Sequence, residues 1–189
     1  MTGGPADRTP RASRRSFLYS QSALLLCLAA TIPAARATDP TTVPIGGTLP
    51  EATLLGLNGP PRTLGSFRGK PLIINVWASW CGPCREEMAS LERLAWHDEA
   101  RHFALIGVST DDDAAEAVKV LRETNATISH FIDQGLRMEN MLGASRLPLT
   151  VLVGADGRVL DKIYGARQWD GAESLRLIAE TFRGNRGAP

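Results

Sequence analysis

The segment PLIINVW, residues 71–77, is apolar at nearly every position and has the length of a strand. A run without polar alternation suits a central strand buried on both faces. The period then changes. Met88, Leu91, Leu94 and Ala95 recur at helical spacing, which predicts a helix over about 83–96 with that face inward. HFALIGV, residues 102–108, predicts a second buried strand. Strand, helix and strand in this order form a right-handed crossover between parallel strands. TDDD at 110–113 offers capping oxygens for a further helix, with Ala117, Val118 and Leu121 on its inner face. A short strand is expected at 128–132 and a short helix at 136–142. The strands at 149–153 and 159–163 flank GADG, whose Asp156-Gly157 pair signals a hairpin, so they should run antiparallel. A last helix covers about 171–182, with Leu175, Ile178, Ala179 and Phe182 inward. Upstream, Leu54, Leu55 and Leu57 precede Asn58-Gly59, and Leu64 and Phe67 follow it, which reads as two short strands joined by a turn. The order predicts an α/β domain: a central mixed β-sheet flanked by helices, with an N-terminal β-hairpin and an extra central helix and strand.

The first 37 residues follow another pattern. In SRRSFLYSQSALLLCLAATIPAARA, Arg14 and Arg15 close a basic region, the apolar stretch is densest over 23–30, and Ala35-Arg36-Ala37 is a small-x-small cleavage site. Residues 1–37 therefore read as a cleaved export signal. SRRSFL matches the twin-arginine motif of bacteria, with the general secretory route and a retained anchor as alternatives. The apolar stretch falls short of the roughly 20 residues a membrane span needs. Cys27 follows the bulky Leu26, which does not suit a lipoprotein site, so it reads as a small hydrophobe in a discarded segment. Residues 38–48 are rich in Pro, Thr and Gly and predict a loose linker. The folded domain is expected over 49–184, with 185–189 as a flexible tail. The leader holds five basic residues and one acid, leaving 16 basic and 19 acidic residues in the remainder. That balance gives no electrostatic reason to expect a nucleic-acid partner.

With the leader removed, both remaining cysteines lie in WCGPC, at Cys81 and Cys84. No third cysteine is left for a structural disulfide, and the compartment outside the cytoplasm is oxidising. A structural zinc site needs four ligands, and His97, His102 and His130 show no paired ligand spacing, so no metal is expected. The three histidines read as surface or strand-end residues. A redox pair fits better. Cys81 falls at the junction of a buried strand and a helix, where free N–H groups and the helix dipole stabilise a thiolate. Cys81 is then the attacking thiol and Cys84, one turn further in, the resolving thiol. Gly82 lets another chain approach, and Pro83 sits in the first helical turn, where its missing N–H costs nothing. Trp80 covers the sulfurs or simply packs. Glu87, three residues after Cys84, falls within about 60° of it around the helix. It is either a proton acceptor for Cys84 or a solvated glutamate such as Glu86.

WASWCGPC after an apolar strand resembles thioredoxin, a system that already exemplifies the Cys-x-x-Cys chemistry. The export signal, the CREEM continuation and the extra elements at 112–132 narrow the likeness. Over residues 45–183 the chain resembles the TlpA/ResA family of exported thioredoxin-like disulfide reductases. The resemblance implies a thioredoxin-like fold and a cis-proline facing the disulfide, matched by Pro148 in RLPLTVLV. Leu147 before it would offer main-chain groups to a client. Asn75 stands where cytoplasmic thioredoxins carry a buried aspartate, and Glu87 matches a glutamate the exported reductases often carry. The resemblance also implies client proteins with disulfides, a membrane thiol relay of the DsbD/CcdA kind as electron donor, no cofactor beyond the Cys81–Cys84 disulfide, a monomer, and a periplasmic or otherwise exported location. Cytochrome c-type biogenesis is one role in the family. Members dedicated to it often carry a G-x-P-E-T loop, where this chain reads GASRLPLT. Two other readings stay open: a disulfide oxidase or isomerase, and a copper-handling chaperone of similar fold.

Overall fold

The computed structural model describes residues 42–185. The export signal, Cys27, residues 38–41 of the expected linker and the tail beyond 185 lie outside the described residues. In chain order the elements are β1 (Thr53–Gly56), β2 (Arg62–Thr63), β3 (Leu72–Trp77), α1 (Gly82–Trp96), β4 (Ala104–Ser109), α2 (Ala114–Glu123), β5 (Ser129–Ile132), α3 (Arg137–Leu142), β6 (Leu149–Val153), β7 (Val159–Tyr164) and α4 (Ala172–Asn185). They build a seven-stranded mixed sheet in the order β2-β1-β5-β4-β3-β6-β7.

The apolar run at 71–77 becomes the centre of this sheet. β3 lies parallel to β4, from Leu72 opposite Ala104 to Trp77 opposite Ser109, and antiparallel to β6. All six of its residues are buried. Ile74 and Val76 face one side with Ile106, Val108 and Val151, under Met138, Met141 and Leu142 of α3. Ile73 faces the other with Leu152, under Leu91 and Leu94 of α1 and Ile178 and Phe182 of α4. Each fully buried Ile or Val is worth about 1.5–3 kcal/mol over an exposed one, which is why this segment takes the middle position. Trp77, at the end of the strand, packs with Met88 of α1 and with Ala117, Val120 and Leu121 of α2. The α2 face thus includes Val120, where the spacing favoured Val118.

β6 and β7 form the expected hairpin. Its turn closes through Gly157 N–H to the Gly154 carbonyl at 2.8 Å, with Gly157 at φ +84°. The N-terminal hairpin pairs Thr53 with Thr63 and Leu54 with Arg62, and β1 then adds to the edge at β5. Asn58 does more than turn the chain. Its amide donates to the Ile128 carbonyl at 2.8 Å and accepts from the His130 N–H at 2.8 Å, extending the β1–β5 contact by a side chain.

Three expectations need correction. The strand placed at 102–108 begins at Ala104, because Asp98–His102 form a 3-10 turn capped by His97. The loose linker is tied down from Thr42 onward. The Val43 N–H donates to the Met141 carbonyl, Gly46 N–H to Val159, and the Lys162 ammonium to the Val43 carbonyl. The aspartates at 111–113 do not share one capping role. Asp113 caps α2 through the Ala115 N–H at 2.8 Å, whereas Asp111 is buried and turned toward the end of β3. Among the described residues, no helix is long and apolar enough to cross a membrane.

Candidate active site

Four residues carry the chain from the end of β3 into α1. The Cys81 N–H closes this turn on the Ala78 carbonyl at 3.1 Å, and Cys81 becomes the N-cap of α1. Its sulfur accepts from the Cys84 N–H at 3.3 Å, so it occupies the place of a capping oxygen. Cys81 and Cys84 are joined as a disulfide with a Cα–Cα distance of 5.3 Å. Cys81 keeps 6% of its surface exposed and Cys84 none. An incoming sulfur therefore reaches Cys81 first. Pro83 falls in the first turn of α1, where no helical N–H is lost. A side chain at Gly82 would meet open space, and its backbone is not left-handed, so neither packing nor conformation requires glycine there.

Trp80 projects beside the pair with 73% of its surface exposed. The Leu147–Pro148 bond is cis and leads into β6, the neighbour of β3. Leu147 is half-buried against the cluster that holds both cysteines. Its main chain makes no hydrogen bond to a described residue, so its N–H and carbonyl stay available.

Glu87 is not solvated. It is 3% exposed and enters a polar layer on the face of the sheet that α1 and α4 cover. One carboxylate oxygen accepts from Asn75 Nδ2 at 2.8 Å. The other accepts from Trp169 Nε1 at 3.0 Å and from the Arg167 N–H at 3.0 Å. Asn75 Nδ2 also donates to Thr150 Oγ1 at 3.1 Å. Burial pushes the Glu87 carboxyl above its ordinary value, and the bonds from Trp169, Asn75 and Arg167 pull back against it. Such a group sits nearer to a proton-exchanging range than an exposed glutamate. The loop before α4 is stapled over it: Ser90 Oγ donates to the Glu87 and Arg167 carbonyls and accepts from the Trp169 N–H.

The layer continues across the sheet. Thr150, Asn75, Gly107 and His130 lie in register on β6, β3, β4 and β5. His130 corrects the expectation of a surface or strand-end residue. It is 2% exposed, its ring meets Trp77 edge-on at 5.5 Å, and neither ring nitrogen has a partner among the described residues. Burial holds its imidazole down to about 4. His97 and His102 lie instead at the far end of α1, away from the cysteines.

The structure thus brings Cys81, Cys84 and Gly82 to the start of α1, with Glu87 one turn below. Sequence reasoning missed Trp169, Ser90 and Arg167, which fix Glu87, and Ser79, Ser109 and Asp111, which hold the turn. Trp169 lies in a loop without periodicity, and only its size hinted at burial.

The chain matches the family model described as Redoxin over residues 44–175. It is 32% identical over 145 residues to the thiol-disulfide oxidoreductase ResA of Geobacillus thermodenitrificans, covering 75% of this chain and 83% of that one. It is 30% identical over 158 residues to the thiol:disulfide interchange protein DsbE of Pseudomonas aeruginosa, covering 80% and 86%. Among solved structures it is similar to a protein assigned as DsbE from Chlorobium tepidum, with a TM-score of 0.68, 24% identity and coverage of 74% and 99%. It is also similar to a protein assigned as a disulfide isomerase from Bacteroides thetaiotaomicron, with a TM-score of 0.65, 28% identity and coverage of 76% and 94%.

Proposed function

Since the chain belongs to the Redoxin family, as a ResA-like thiol–disulfide oxidoreductase of thioredoxin-like fold, we propose that it reduces protein disulfides outside the cytoplasm. The observation that carries this reading is the placement of the pair: Cys81 caps α1 and keeps a small exposed area, while Cys84 is fully buried behind it. In the reduced protein, the Cys81 thiolate attacks one sulfur of a client disulfide. A mixed disulfide forms, and the first client sulfur leaves as a thiolate that takes up a proton. Cys84 then loses its proton and attacks Cys81 Sγ. The second client thiolate leaves, and the Cys81–Cys84 disulfide closes. Two electrons have passed to the client.

Glu87 is the group we assign to receive the Cys84 proton, directly or through water. Its place one turn further along α1 and its raised carboxyl support that role. Leu147 and the cis-proline would align the client chain as a short strand beside the disulfide, with Trp80 and Gly82 against it. No cofactor beyond the dithiol is needed for these steps. A two-electron donor must restore the dithiol, and a membrane thiol relay of the DsbD/CcdA kind fits an exported protein. Export rests on the leader, with SRRSFL and Ala35-Arg36-Ala37.

The direction is the point to test. Gly-Pro between the cysteines favours a reducing couple, and about 30 mV changes the equilibrium tenfold. Equilibration against glutathione should give a potential near that of thioredoxin, about −270 mV. A value near the oxidising enzymes, about −120 mV, overturns the reductase reading. A Cys84→Ala variant in the native host should accumulate a mixed disulfide at Cys81 that names the client by mass. Capture of no protein would argue against a protein substrate.

A further inference from the structure

Asp111 lies outside the dithiol, the helix that carries it and the Glu87 layer, yet its carboxylate is bonded by both Ser79 and Ser109. The residue is 4% exposed. Ser79 approaches it twice, through its N–H at 2.9 and 3.1 Å and its hydroxyl at 2.6 Å. Ser109 donates its hydroxyl at 2.6 Å from the end of β4 and accepts the Asp111 N–H at 3.1 Å. Hydroxyl bonds of this length to a carboxylate are charge-assisted and about twice as strong as neutral ones. A helix cap needs none of this, and the neighbouring Asp113 already caps α2.

The position of Ser79 gives the clamp its meaning. It stands two residues before Cys81, inside the turn that places the sulfur on the N-terminus of α1. The end of β4 is itself fixed: the Thr110 N–H donates to the Trp77 carbonyl at 2.9 Å, and the Asp133 N–H to Ser109 at 2.8 Å. We infer that Asp111 is a positioning residue for the dithiol, fastening the Ser79 turn to the sheet so that Cys81 stays on the helix N-terminus. Two opposed effects then meet at one side chain. The clamp favours the Cys81 thiolate through the helix end, whereas the negative charge of Asp111 disfavours it through space.

The inference rests on the dithiol reading but not on the direction of electron flow. Its test is the pH dependence of iodoacetamide alkylation of Cys81 in the reduced full chain, followed on the Cys81 peptide by mass. That readout reports the thiol whether the protein reduces or oxidises its clients. Asp111→Ala should raise the Cys81 thiol pKa by about one unit, a tenfold loss of thiolate near neutral pH, because the helix end no longer holds the sulfur. Asp111→Asn keeps an acceptor oxygen without the charge, and should hold the pKa at or below that of the parent. Ser79→Ala, which keeps the carboxylate, should shift it upward by less than Asp111→Ala and carries the test if that variant does not fold. An equal fall in both Asp111 variants would show a charge acting alone. Both Asp111 variants lack the charge, so the same Cys81 pKa in folded Asp111→Ala and Asp111→Asn without such a fall, or an unchanged value in Ser79→Ala where Asp111→Ala does not fold, would leave a structural contact only. Either result overturns the inference.

Discussion

His130 places a measurable pH dependence in the folded core. Its imidazole is buried beneath Trp77 and over Gly107, and is held down to about 4 from an ordinary 6.5. The folded pKa lies below the unfolded one, so the unfolded chain binds the extra proton first. Stability is therefore fully present above pH 6.5, falls as the pH drops from 6.5 toward 4, and levels off below. The full gap is worth about 3 kcal/mol, and about 2 kcal/mol of it is lost between pH 7 and pH 5. Other groups titrate in the same range. Glu87, raised by burial, works in the opposite direction: acid that protonates it favours the folded state. A difference measurement removes these terms. His130→Phe keeps a flat ring against Trp77 and carries no proton. Urea unfolding of the oxidised protein, followed by far-ultraviolet circular dichroism at pH 7, 6 and 5, should show the parent losing about 2 kcal/mol more than the variant. A stability difference between the two proteins that stays constant across this range would refute the reasoning, and would mean that the imidazole is solvated or paired.

Three further outcomes follow from the same layer. Glu87→Gln puts an amide where two oxygens together accept three donors, so its nitrogen faces one donor in one orientation and two in the other. It should cost about 1–3 kcal/mol in unfolding measurements and lengthen the life of the mixed disulfide in rapid-quench assays. Trp169→Phe removes one of the bonds that hold the Glu87 carboxyl down, so the pH profile of the resolving step should move upward, with Arg167 and Asn75 still in place. Gly107→Ala would bring a methyl group to 2.1 Å from His130 Nδ1. It should destabilise by about 1–3 kcal/mol, and a second change, His130→Ala, should relieve part of that loss in a double-mutant cycle.

Periodicity explains what could be read from the chain. The run at 71–77 has one stable home, the middle of a sheet, and the spacing of Met88, Leu91 and Leu94 has one face to bury. Those two facts put a strand end and a helix start on either side of Cys81, and so put the chemistry there. Residues whose partners are distant in sequence left no such trace. Asp111 sat among three aspartates that all suited a helix start, and only the fold shows Ser79, 32 residues away, turned toward one of them. Asn58 looked like a turn residue because Asn-Gly is a turn signal, while its side chain bonds across 70 and 72 residues to Ile128, just before β5, and to His130 within it.

The pair Asn75 and Glu87 shows how a local reading and a tertiary one combine. From sequence, Asn75 is an absence, a position where an acid is missing. In the fold it is a donor, and the carboxylate it donates to comes from the helix above rather than the strand. The buried acid therefore stands on α1, one turn beyond Cys84, and that placement carries a constraint of its own. On the strand, the backbone pairing of the sheet would fix such a carboxylate. On the helix, Glu87 depends on the Trp169 loop, held by Ser90, to fix its second oxygen. Changes in that loop should therefore reach the resolving cysteine without touching either sulfur.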